Sequence, residues 1–118
     1  MPASFESFDY VSRNQRAPLP PKWVDARVLA AGVPETFAVP TANGQKPGVV
    51  AFSASGANLY VAYTPAGSAD VTAAIPGGDV ADGSASECNP GPRAIGDTTK
   101  ISLVADAPCI VTLAYYAG

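Results

Sequence analysis

Gly48-Val-Val-Ala-Phe-Ser53, followed after a short break by Asn58-Leu-Tyr-Val-Ala-Tyr63, decides the fold class. In the second run Leu59, Val61 and Tyr63 fall on one face, and Tyr60 and Ala62 on the other. That is the period of two a strand imposes. Only Ala54-Ser-Gly-Ala57 separates the two runs, so they are expected to pair as an antiparallel hairpin. The C-terminus repeats the pattern. Lys100-Ile-Ser-Leu-Val-Ala105 sets Ile101, Leu103 and Ala105 on one side, Asp106-Ala-Pro108 turns the chain, and Cys109-Ile-Val-Thr-Leu-Ala-Tyr-Tyr116 returns.

Working outward, Val24, Ala26 and Val28 alternate with Asp25, Arg27 and Leu29. Thr36-Phe-Ala-Val39 is a short run closed by Pro40, and Asn43-Gly44 is a turn dipeptide whose residues both tolerate positive φ. Eleven glycines and 12 prolines interrupt any run long enough for a stable helix. Aromatics make up 8% of the chain, which suits a thin core between facing sheets. The expectation is an all-β body over residues 24–118, an antiparallel β-sandwich or jelly roll. In each of the two best strands neighbouring or near-neighbouring tyrosines (Tyr60 and Tyr63, Tyr115 and Tyr116) have opposite parity, so one of each pair faces away from the core. Outward tyrosines suit interfaces.

Residues 1–23, MPASFESFDYVSRNQRAPLPPKW, have no such period. Phe5, Phe8 and Tyr10 stand isolated among polar residues, and Pro18, Pro20 and Pro21 stiffen the approach to Trp23. This reads as an extended N-terminal arm with a polyproline spacer. At about 3.3 Å per residue it spans up to about 75 Å, enough to reach a neighbouring subunit. The alternative is disorder in solution, and the two are compatible if the arm is disordered when free and ordered on docking. Phe5, Phe8, Tyr10 and Trp23 are the expected anchors.

Charge narrows the partners. Residues 1–27 carry +1 and the remainder −4, for a net charge of −3. An acidic body repels phosphate backbones, so no nucleic acid is expected as ligand. No run approaches the roughly 18–20 apolar residues of a membrane span, and the N-terminus lacks the pattern of a secretory signal. Cys88 and Cys109 are therefore expected to be reduced, Cys109 as a small core residue.

No enzyme is expected. The chain has no histidine, which removes the common general base and any Ser-His or Cys-His pair. It has no phosphate-binding glycine loop and no dinucleotide fingerprint, and no cofactor or metal is expected. Between Tyr63 and Lys100 lies a long loop, at about 64–99, with one β-prone piece, Val71-Thr-Ala-Ala-Ile75. Loops of this length are usually binding segments or mobile. Its Asp79, Asp82, Ser84, Ser86 and Glu87 are oxygen-rich, but the spacing is not that of a helical calcium loop, and local turn chemistry explains them more simply.

The chain resembles a family of small β-rich structural proteins of tailed bacteriophages. The resemblance lies in Phe37-Ala-Val-Pro40, Val50-Ala-Phe-Ser53, Asn58–Tyr63, Val80–Arg93, Ile101–Ala105 and Cys109–Tyr116, with Asp82-Gly to Arg93 the most specific segment. It implies a virion structural role, as a capsid cement or decoration protein that binds the major capsid protein and itself, as dimer or trimer. Such a subunit is made in the bacterial cytoplasm and sits on the capsid exterior. The alternative is a tail or neck protein that binds a host receptor or glycan. On the cement reading Asp82, Glu87, Asn89 and Arg93 would position the long loop against a partner.

Overall fold

A computed structural model describes residues 19–117. The eight strands are β1 (Trp23–Leu29), β2 (Glu35–Ala38), β3 (Val49–Ala54), β4 (Leu59–Pro65), β5 (Glu87–Cys88), β6 (Arg93–Ala94), β7 (Thr98–Ala105) and β8 (Cys109–Tyr116). They form two four-stranded sheets, β1-β8-β3-β6 and β2-β7-β4-β5, antiparallel throughout. Every connection except β4–β5 passes from one sheet to the other. That order is a jelly roll, the second of the two expected architectures.

The expected hairpin between Gly48–Ser53 and Asn58–Tyr63 is corrected. β3 pairs with β8 and β6, whereas β4 pairs with β7 and β5, so the short linker is an arch between sheets. The C-terminal pair is also an arch, with β7 and β8 in opposite sheets. The reason lies in bonds from one bend to the other, between residues far apart in the chain. The Asp106 carboxylate accepts from the Asn58 backbone N–H (2.9 Å) and from Asn58 Nδ2 (2.9 Å), and the Asp106 N–H donates back to the Asn58 carbonyl (3.2 Å). The two arches are thus stitched side by side, and the strands they join face each other across the core instead of sharing an edge.

Parity then fills that core. Val50 of β3, Leu59 and Val61 of β4, Ile101 and Leu103 of β7, and Val111, Leu113 and Tyr115 of β8 interdigitate with Leu29 of β1. In β1 the inward face is Asp25, Arg27 and Leu29, which leaves Val24, Ala26 and Val28 pointing out. Arg27 crosses to the other sheet and lies 3.8 Å above the Phe37 ring, closing the rim between β1 and β2. Asn43 and Gly44 both take positive φ (54° and 74°), and Ala42 and Gln45 exchange two backbone bonds of 2.9 Å around them. This is the backbone of a type I′ turn.

The stretch 64–99 is more structured than a loop. It contains β5 and β6, and its ends belong to β4 and β7. Between β4 and β5 the chain runs as an irregular strap over the outer face of β7 and β4. Thr64 Oγ1 accepts from the Val71 N–H (2.8 Å), and Ser102 Oγ accepts from the Ala73 N–H (2.8 Å). Ala73 is buried there with Ala62 and Val104, and Tyr60 packs beside them. The Val71–Ile75 piece is the centre of this cover and not a strand.

Candidate functional site

Phe5, Phe8, Tyr10 and Pro18 lie outside the described residues. The rest of the predicted set falls into two places. The first is the neck. Pro20 and Pro21 lead into Trp23, which is the first residue of β1 and so belongs to the body. The Trp23 indole N–H donates to Asp25 Oδ1 (2.9 Å), and the neighbouring Lys22 N–H donates to the Tyr115 carbonyl (2.7 Å). The second of these bonds holds Lys22 against β8 just before β1 begins. Leu19 and Pro20 share a surface cleft with Val49, Ala51, Pro92 and Tyr116.

The second place is the rim opposite Arg27, where β5 and β6 end the two sheets. Glu87 is joined there by Tyr63 and Arg93. The Tyr63 hydroxyl donates to Glu87 Oε1 (2.9 Å), and Arg93 Nε donates to Glu87 Oε2 (2.9 Å), with Arg93 Nη2 on the same oxygen. The Arg93 guanidinium, more than the Tyr63 hydroxyl, holds the Glu87 carboxyl below its ordinary range. Burial, with the Glu87 contact added, pushes the Tyr63 hydroxyl far up. Asn89 sits nearby with φ 47°; its Oδ1 accepts from the Leu59 N–H (2.8 Å) and its own N–H donates to the Leu59 carbonyl (2.7 Å). Glu87, Asn89 and Arg93 therefore bind the end of the long segment to β4, with most of their polar atoms already engaged.

Asp82 does not join them. Its Oδ1 accepts from Ser84 Oγ (2.6 Å) and the Ser84 N–H (3.0 Å), which lowers its pKa and accounts for it as a turn residue. No group of three or more metal-ligating side chains occurs among the described residues. Cys88 is exposed and Cys109 buried, and both are free.

One surface was missed from sequence. The outer face of β1, β8 and β3 carries Val24, Ala26 and Val28; Ile110, Thr112, Ala114 and Tyr116; and Val49, Ala51 and Ser53. None is charged. Register lines them up in rows: Val28 with Ile110, Ala26 with Thr112 and Ser53, Val24 with Ala114 and Ala51. Val28 is 73% exposed and Ile110 52%. The available signal was the run of β8, apolar but for Thr112, since an antiparallel strand with one wet face normally alternates. Protein-family models, curated proteins and solved structures give no match to the chain.

Proposed function

We propose that the chain is a non-enzymatic structural subunit of a tailed-bacteriophage virion, a cement or decoration protein that binds the major capsid protein on the capsid exterior. The observation that carries the reading is the division of labour along the chain. Among the described residues the jelly-roll core runs from Leu29 to Tyr115, and none of residues 19–22 belongs to it. On this reading the leading segment, with Phe5, Phe8, Tyr10 and the Pro18–Pro21 spacer, makes its contacts beyond the body. Spreading attachment over an arm and a rigid knob lets several weak contacts add up on a shell that presents the same site many times. The resemblance of residues 28–116 to small phage β proteins points the same way.

Deleting residues 1–22 is expected to leave a folded body that no longer coats or protects capsids. The measurement is co-sedimentation of purified protein with undecorated capsids, followed by heating of the particles. Normal decoration and protection by the truncated protein would sink the proposal. Labelled protein that ignores capsids and adsorbs to host cells would favour a tail protein that reads a receptor or glycan.

A further inference from the structure

We infer that the free edge of β1 is a self-pairing surface, on which β1 of a second copy lies antiparallel with Ala26 at the centre. The other sheet edges are blunt: β2 has four residues, and β5 and β6 have two each. β1 ends its sheet with seven residues, Trp23–Leu29, paired to β8 without a register shift and containing neither proline nor lysine. Short edges, bulges, prolines and edge lysines are the usual protection against strand pairing, and β1 has none of them.

Hydrogen-bond direction shows what this edge offers. The Ser55 N–H donates to the Ile110 carbonyl (3.4 Å) and the Gly48 N–H to the Tyr116 carbonyl (2.8 Å), so the even-numbered residues of β8 bond toward β3. Its odd-numbered residues bond toward β1, as the Tyr115 carbonyl does in accepting from the Lys22 N–H (2.7 Å). Through the register these residues face Trp23, Asp25, Arg27 and Leu29. Val24, Ala26 and Val28 therefore turn their N–H and C=O groups to the open side, where no strand among the described residues meets them. Leu19 and Pro20 leave this edge alone, since they line a cleft with Val49, Ala51 and Tyr116, toward β3.

Sequence selects the occupant. Val24-Asp-Ala-Arg-Val28 reads the same in both directions, except that Asp25 and Arg27 exchange sign. Antiparallel pairing about Ala26 sets Val24 against Val28 of the second copy, in hydrogen-bonded pairs like that of Ala26 with itself. It sets Asp25 against Arg27 of the second copy on each side of the axis, in the non-hydrogen-bonded pairs whose side chains stand closest. Both charges lie on the inward face of β1. Inward charges at an edge repel an unrelated strand, because pairing would bury them without counter-charge. A second β1 in this register answers both. Arg27 is placed for it: the guanidinium lies over the Phe37 ring, and Nε is buried with no hydrogen-bond partner among the described residues. Pairing adds about six main-chain bonds, and in strand addition such bonds, more than apolar area, carry the affinity.

Self-pairing is tested on free protein, so failure to bind capsids leaves it standing. Sedimentation equilibrium compares the full chain with Ala26→Pro, with Asp25→Arg, and with Asp25→Arg combined with Arg27→Asp. Ala26→Pro removes an N–H that points away from β8, so the β1–β8 ladder is kept. Circular dichroism and a melting curve check that each variant folds. The wild type is expected to dimerise, with the dissociation constant raised about tenfold or more by Ala26→Pro and by Asp25→Arg, and lowered again when Arg27→Asp is added. Arg27→Asp also removes the contact with Phe37, so the register is read independently by oxidising Ala26→Cys and Val28→Cys in a Cys88→Ser background. Ala26 meets its own counterpart within disulfide reach, whereas Val28 lies about 14 Å from its own, so only Ala26→Cys is expected to give a covalent dimer. A monomeric wild type overturns the inference, whether the edge stays open or is taken by the chain's own leading segment. A dimer indifferent to Ala26→Pro and Asp25→Arg overturns it too, as does one that crosslinks through Val28→Cys and not through Ala26→Cys.

Discussion

Tyr115 is fully buried, and its hydroxyl finds no hydrogen-bond partner among the described residues. Burial pushes its pKa up to about 12, with Asp25 adding to the rise and Arg27 opposing it. A buried unpaired hydroxyl costs roughly 1–3 kcal/mol, so Tyr115→Phe is expected to stabilise the protein by about 1 kcal/mol. Urea unfolding measures it; a loss of stability would show that the hydroxyl has a partner. The folded value lies above the unfolded one, so this tyrosine's contribution is complete below pH 10 and is lost as pH rises toward 12. Tyr115→Phe is therefore also expected to blunt alkaline unfolding in that window. Glu87 has the opposite sign. Its folded value is depressed below the ordinary 4.5, so its contribution holds above that pH and fades as pH falls through the folded value. Glu87→Gln is expected to lower stability at neutral pH and flatten its decline in acid, read from melting temperatures across that range. An unchanged acid profile would mean that the rim pairing adds nothing.

The strap is the element whose attachment is most easily tested. Ser102 Oγ receives both the Ala73 N–H (2.8 Å) and the Thr36 hydroxyl (3.1 Å), which ties the strap to β7 and β2 at one atom. Ser102→Ala leaves the buried Ala73 N–H without a partner and is expected to cost about 1–2 kcal/mol. Amide exchange should quicken first at Ala73 and its neighbours, while β8 amides stay protected. Uniform acceleration would show that the strap and sandwich open together. This element also marks where the sequence stopped being legible. The existence and parity of β1–β4, β7 and β8 and the Asn43-Gly44 turn were readable because each is set within a few residues. The arches at Ala54–Ala57 and Asp106–Pro108 were not, because short linkers favour hairpins and the Asn58–Asp106 bonds that override this are long-range. The strap has no periodicity, and its cover over Ser102 and Val104 shows in sequence only as the missing alternation of β7. Among the predicted site residues, Glu87 and Arg93 meet across the rim, Asn89 anchors beside them to β4, and Asp82 serves its own turn.

At the scale of the whole molecule, both lateral rims are closed by an arginine, Arg27 over Phe37 on one side and Arg93 on Glu87 on the other. One broad face is sheathed by the strap, and the other carries Leu19 and Pro20 in a cleft with Val49, Ala51 and Tyr116 at one end while Val28 and Ile110 stand exposed. A body built this way has an inner and an outer side. Removing residues 1–18 should leave its cooperative melting transition in place, because the core cluster begins at Leu29. A collapse of that transition would mean that the leading segment is structural.

The position of β8 carries a consequence for how the protein is made. It follows the other seven strands in the chain, yet it lies in the middle of its sheet, between β1 and β3. Until Cys109–Tyr116 is in place β1 has no ladder to join and β3 has only the two-residue β6, and long-separated pairings of this kind close slowly. Assembly of this sheet thus waits on the eight-residue strand β8, which acts as its keystone. Once seated, it cannot leave without breaking the ladders on both of its sides.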